Sequence, residues 1–184
     1  VGSEMCIRDR LGALNLPKRK NQKHRRSMQH HRQHRKRLQP KTDNQADYIR
    51  CMVESDVTFC SGPAGSGKTA VAVGLGCGYF LEKKITKIII TRPVVEAGRG
   101  LGFLPGSLTD KIQPYLVPVV EEMKLYLGPE TYHSGRATNE IEICPLEYMR
   151  GRNFHDTFMI LDEAQNATYE QIKMFLTRIG SNSK

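Results

Sequence analysis

The sequence predicts an α/β fold with a mostly parallel sheet in three layers, and three stretches carry that prediction. The first is Gly62, Pro63, Ala64, Gly65, Ser66, Gly67, Lys68 and Thr69, which has the Gly-x-x-x-x-Gly-Lys-Thr spacing of a phosphate-binding loop. It lies between an apolar β-type run, Val57 to Cys60, and a helix-like run, Thr69 to Leu81, which is the context such a loop requires. The second is Lys87 to Thr91, a continuous apolar run of the type found in a strand buried on both faces. The third, Phe158 to Leu161, is another such run and ends in the adjacent carboxylates of Asp162 and Glu163.

Composition bounds what surrounds these stretches. The 184 residues, 39% of them hydrophobic, suffice for one domain with an appended tail and leave no room for a second complete domain. The net charge is +9, yet residues 18 to 37 alone hold ten Lys or Arg and no acid, so the rest of the chain is close to neutral. The five cysteines are scattered, with neither a Cys-x-x-Cys pair nor a disulfide-like spacing, and reduced thiols are expected. No apolar run approaches the length of a membrane span and no secretory segment follows the N-terminus, which leads to the expectation of a cytoplasmic protein without a membrane partner.

In chain order, residues 1 to 10 fit nothing downstream and resemble translated sequencing-adapter DNA, so they are set aside as an assembly artefact. Residues 11 to 39 form a basic tail whose stretch from Pro17 is rich in Lys, Arg, His and Gln and almost free of apolar side chains, and it is expected to be disordered. Its cations suit nucleic-acid phosphates. Its histidines lack the Cys or acidic companions of a metal site. The domain proper is expected over 40 to 184. It opens with an amphipathic helix, Ala46 to Glu54, capped by Asp43 or Asn44, and continues with a strand at Val57 to Cys60. After the Lys87 to Thr91 strand comes a glycine-rich loop, Glu96 to Gly106. Residues Asp110 to Leu127 read as two short helices, because Pro114 and Pro118 interrupt the pattern. Gly128 to Gly135 reads as loop, Glu140 to Cys144 as a strand closed by Pro145, and Thr168 to Ile179 as a helix stopped by Gly180.

These elements bring candidate chemistry to one edge of the sheet. Gly62, Gly65 and Gly67 let the loop turn tightly, so that backbone N–H groups and the start of the following helix face a polyphosphate. Lys68 is expected at the β- and γ-phosphates and the Thr69 hydroxyl on Mg²⁺. Asp162 is the second expected metal contact, Glu163 the group that polarises water, and Gln165 a sensor of the γ-phosphate. Arg92, at the end of its strand, is a further site candidate. Gln45 has the donor and acceptor needed to read an adenine edge, and equally suits a capping or surface role.

From Pro40 to Lys184 the chain resembles the PhoH-like family of P-loop ATPases. The resemblance rests on the phosphate loop, Thr91-Arg-Pro93, Gly102-Phe-Leu-Pro-Gly106, Pro145-Leu-Glu-Tyr-Met-Arg-Gly151 and Leu161-Asp-Glu-Ala-Gln-Asn166. It implies a RecA-like P-loop NTPase domain similar to the motor of superfamily 1 helicases. ATP and Mg²⁺ are the implied cofactors, RNA is favoured over single-stranded DNA as partner, and a homo-oligomeric ring forms when the protein is full length. The family's link is to phosphate starvation and RNA metabolism, and its upstream glutamine matches Gln45. Arg99, Gln113 and Val117 depart from the family's usual Glu, Asp and Arg. The family continues past Lys184 into another core strand, so the resemblance makes this chain a C-terminally incomplete domain and a weak ATPase as it stands. The competing expectations are a nucleotide-gated RNA-binding module without significant hydrolysis and a P-loop phosphotransferase.

Overall fold

The computed structural model describes residues 35–93 and 108–184, with the side chains of 108–115 left aside. The chain separates into one unit of residues Val1–Gln33 and another of His34–Lys184. All that follows concerns the second. The expectations for residues 1 to 34, for the glycine-rich loop and for Arg99 and Gln113 lie outside what is described.

Helix α1 spans Asp43–Glu54 and α2 Lys68–Leu81, and strand β1 (Lys87–Arg92) follows. Helices α3 (Leu108–Leu127) and α4 (Pro129–Ala137) lead to β2 (Ile141–Pro145) and a 3₁₀ turn, Leu146–Met149. Strand β3 (Thr157–Leu161), a second 3₁₀ turn (Ala164–Asn166) and α5 (Tyr169–Leu176) complete the described chain. The three strands are parallel in the order β2-β1-β3, with Ile90 opposite Ile143 on one side and Ile160 on the other.

Strand side chains alternate between faces, and here both faces are covered. Ile88, Ile90, Ile141, Ile143, Phe158 and Ile160 share a core with α1, α2, α3 and α4, in which Val73, Met123 and Leu127 are fully enclosed. Ile89, Cys144 and Met159 point the other way, onto Leu146, Met149, Phe154 and Phe175 of α5. That double burial is why the strands read as unbroken apolar runs. The result is a three-layer α/β fold of the P-loop NTPase type.

Several elements differ from the sequence reading, each for a physical reason. Val57 to Cys60 forms no strand: it has no ladder partner among the described residues, and Phe59 is 77% exposed. Val57, Phe59 and Cys60 face β3 across a cavity of about 1030 Å³. The outer edge of β3 is instead met by the end of the chain, where Lys184 N–H donates to Thr157 O at 3.0 Å and Lys184 O accepts from Met159 N–H at 2.7 Å. Helix α3 is continuous through Pro114 and Pro118. Each proline forfeits one hydrogen bond, but Pro118 sits on the exposed face, while Leu116, Val119, Met123, Tyr126 and Leu127 anchor the helix by burial.

The segment after Gly128 is helix α4 rather than loop, started by Gly128 at φ 82 and Pro129 in the first turn. Residue 135 of that helix is a glycine because a Cβ there would stand 2.6 Å from Ile141 Cδ1. Thr42, rather than Asp43 or Asn44, caps α1, its hydroxyl accepting from Gln45 N–H at 3.2 Å. Helix α5 has the capping box Thr168/Gln171 and ends at Leu176, three residues short of the expected Ile179. Gly180 lies against Phe154 and His155, where a Cβ would meet Phe154 O at 2.5 Å. Ahead of residue 40, Arg35 donates to Thr131 at 3.0 Å, and Lys36 N–H donates to Leu125 O at 2.8 Å.

Candidate functional site at the phosphate loop

The carboxyl ends of β1 and β3 and the amino end of α2 converge at one edge of the sheet. Gly65 (φ 76) and Gly67 (φ 85) occupy left-handed backbone that other residues enter at a cost, whereas Gly62 has no such φ and has ordinary space around it. The conformational need for glycine therefore lies at two of the three positions the sequence suggested. Gly67 caps α2 without any side-chain hydrogen bond, and its carbonyl accepts the first helical bond, from Val71 N–H at 2.9 Å. The first N–H groups of α2 thus have no partner within the helix, the arrangement that receives an anion.

Lys68 Nζ folds back on the loop, donating to Gly62 O and Pro63 O at 2.8 Å each. Thr69 Oγ1 donates to Asp162 Oδ1 at 2.8 Å, bridging 93 residues of sequence. Asp162 is set by its backbone, whose N–H donates to Thr91 O at 2.9 Å and so extends the β1–β3 ladder by one step. Arg92 Nη2 donates to Asp162 Oδ2 at 2.7 Å and reaches Glu163 Oε1 at 3.3 Å. Gln165 Nε2 donates to Glu163 Oε2. Glu163 itself has left-handed backbone (φ 54, ψ 39), which costs on the order of 1 kcal/mol and turns its carboxylate toward this cluster instead of along a helix. Lys68, Thr69, Arg92, Asp162, Glu163 and Gln165 thus meet around one loop.

Gln45 is a brace on that loop. Its Nε2 donates to Ser66 O at 3.0 Å, and its Oε1 accepts from Lys41 N–H at 2.8 Å. Gly67 must be small here as well, since a Cβ would stand 2.9 Å from Gln45 Nε2. An amide carries two N–H donors and two acceptor lone pairs, so one of each remains beyond these two bonds. Tyr48, three residues on along the same face of α1, was missed by the sequence reading although the helical spacing points to it. It lines the same cavity, and burial raises its phenol pKa, with the Cys60 thiol beside it adding to the effect.

The arrangement can hold an anion at the start of α2 and present two carboxylates and a hydroxyl beside it. A parallel three-layer sheet with this loop before α2 and an Asp-Glu pair at the end of β3 defines a domain of the P-loop NTPase class. Within that class the chain belongs to the PhoH-like family: the family model described as PhoH-like protein matches residues 37–184. Similar curated relatives include a PhoH-like protein of Mycobacterium tuberculosis (strain ATCC 25618 / H37Rv), 48% identical over 149 residues, or 81% of this chain and 42% of that protein. A PhoH-like protein of Bacillus subtilis (strain 168) is 48% identical over 149 residues, covering 81% and 47%. Protein PhoH of Escherichia coli (strain K12) is 40% identical over 144 residues, covering 77% and 41%. The chain thus spans less than half the length of these relatives.

Proposed function

We propose that this chain is the ATP-binding part of a Mg²⁺-dependent ATPase that couples hydrolysis to remodelling of RNA, or of single-stranded nucleic acid more broadly, in the cytoplasm. The observation that carries the reading is the 2.8 Å approach of Thr69 Oγ1 to Asp162 Oδ1 beside an uncapped helix start. Two neighbouring ligands of an octahedral Mg²⁺ at about 2.1 Å stand about 3 Å apart, so the pair already has the spacing such an ion needs. Among the described residues no group of three or more His, Cys, Asp or Glu converges, which suits an ion whose remaining ligands are phosphate oxygens and water. When bound, the ion neutralises charge on the polyphosphate.

The chain's own residues do the rest. Lys68 leaves the carbonyls of Gly62 and Pro63 for the β- and γ-phosphates, exchanging neutral acceptors for anionic ones. The N–H groups of Gly65 to Thr69 hold the phosphates in place. Glu163, held by Gln165, accepts a hydrogen bond from the attacking water, and Gln165 reports the γ-phosphate. Gln45 uses its remaining donor and acceptor on the adenine edge. Assembly into a homo-oligomeric ring belongs to the full-length protein.

The test is phosphate release from Mg-ATP by the full-length protein with and without single-stranded RNA. RNA-stimulated release supports the reading. Release only with a small-molecule acceptor points to a phosphotransferase, and ATP binding with no release at all to a nucleotide-gated RNA-binding module.

A further inference from the structure

Every carboxylate oxygen of Asp162 and Glu163 is already engaged. Asp162 Oδ1 accepts from Thr69, Asp162 Oδ2 and Glu163 Oε1 share Arg92 Nη2, and Glu163 Oε2 accepts from Gln165. The Asp162 side chain is 10% exposed, that of Arg92 20% and that of Glu163 42%, so two adjacent anions, one of them largely withdrawn from solvent, are neutralised among the described residues by one guanidinium. Lys68, the other cation of the loop, points at loop carbonyls instead. Close approach of two like charges away from bulk water is unfavourable unless a cation stands between them.

We propose that Arg92 is a resident stand-in for the metal: it neutralises the Asp162–Glu163 pair while the site lacks nucleotide, and it must leave the pair for a divalent cation to bind. This rests on the reading of Asp162 as a metal contact. With Arg92 in place an incoming cation meets a cluster of net charge −1 whose carboxylate oxygens each already accept a hydrogen bond. Without it, the same cation meets −2. The bare ion therefore binds more weakly with Arg92 in place than without it, and it enters best with a polyphosphate whose own charge draws the guanidinium off the carboxylates. Arg92 thereby biases metal binding toward the nucleotide-bound state. It also places the Arg92 charge on the acids, away from any nucleic-acid partner, until that exchange has taken place.

The experiment measures Mn²⁺ binding to the nucleotide-free, full-length protein by electron paramagnetic resonance, in wild type, Arg92→Lys and Arg92→Gln, each with and without Asp162→Asn. Removing one positive charge at hydrogen-bonding distance from the ligands should tighten Mn²⁺ binding by about tenfold in Arg92→Gln. A lysine cannot span both carboxylates as a guanidinium does, so Arg92→Lys should lie between the two. The gain should vanish with Asp162→Asn. Thermal melting without metal checks folding, and if Arg92→Gln does not fold, Arg92→Lys carries the comparison. Equal Mn²⁺ affinity in wild type and the Arg92 variants, lost on Asp162→Asn, overturns the stand-in role and leaves the metal contact intact. Tight binding that survives Asp162→Asn overturns both.

Discussion

Lys68 braces its own loop, and the proposed phosphate role requires it to let that loop go. Its two bonds to Gly62 O and Pro63 O close the loop on itself, so the loop keeps its shape when no anion is present. A charge-assisted hydrogen bond contributes about 1.5 to 3 kcal/mol, and Lys68 is expected to make two to the phosphates. Lys68→Ala should therefore weaken ATP binding on the order of 100-fold or more, as read by equilibrium titration with a fluorescent ATP analogue. Unchanged affinity would mean that the loop is purely structural. Glu163→Gln separates binding from turnover at the same scale. The amide keeps the shape but loses the carboxylate that polarises water, so ATP should stay bound while kcat falls by about 10² to 10⁴. Single-turnover kinetics beside the binding titration checks it, and equal rates in the two proteins remove Glu163 from the chemistry.

At the scale of elements, β2 is locked to the segment that follows it by a clamp no motif announced. Arg152 Nη1 and Nη2 donate to the two carboxylate oxygens of Glu142 at 2.6 and 2.7 Å, and Lys87 of β1 adds a third contact at 2.7 Å. The Arg152 guanidinium also stacks over Phe154, 4.7 Å from its centroid. Chiefly because Arg152 donates to it, the Glu142 carboxyl is lowered from 4.5 to about 2, burial working against the shift. The folded pKa lies below the unfolded one, so the clamp's contribution is complete above about pH 4.5 and is lost as the pH falls toward about 2. The Glu142 side chain is 19% exposed, and a contribution on the order of 2 to 3 kcal/mol follows for this site. Glu142→Gln should lower the urea midpoint at neutral pH, and the gap from wild type should narrow as the pH drops from about 5 to 3. A gap independent of pH would show that the charge of Glu142 contributes nothing.

For the molecule as a whole, the balance between the basic N-terminal residues and the folded unit decides how nucleic acid would be held. Lys36 is paired with Glu122 and lies over the Tyr126 ring, which takes it out of the set of available cations. Of the ten Lys or Arg in residues 18 to 37, seven lie ahead of the folded unit, between Lys18 and Arg32. If they neutralise phosphates of a single strand, the slope of log affinity against log salt should approach about −5, at roughly 0.7 per phosphate. Deleting residues 11 to 34 should flatten it. A slope near −2 in both proteins would assign binding to a few residues of the folded unit instead. The folded unit also carries an open feature: Phe59 and Val57 are exposed beside the outer edge of β3, where the backbone of Lys184 has begun a parallel pairing. Such an edge is a template for further strand pairing.

The sequence alone determined what depends on local spacing. The phosphate loop, the apolar strands Lys87 to Thr91 and Phe158 to Leu161, the helix after the loop and the Asp162-Glu163 pair were all legible, because tight turns, double burial and strand ends leave marks within a few residues. It also put Lys68, Thr69 and Asp162 at one sheet edge, since strands of a parallel sheet share the end at which they stop. What it misjudged was decided by neighbours distant in the chain. Val57 to Cys60 has the composition of a strand but lacks a partner for its ladder. Helix α3 keeps two prolines because its buried face offsets the hydrogen bonds they remove, and α4 carries glycine at 135 because Ile141 fills the space a Cβ would take. Gln45 grips Ser66, Arg92 spans both acids and Arg152 clamps Glu142, at sequence separations of 21, about 70 and 10 residues. No local pattern encodes which cation meets which anion; the register of β1 against β2 and β3 sets those partners, and only the assembled sheet fixes that register.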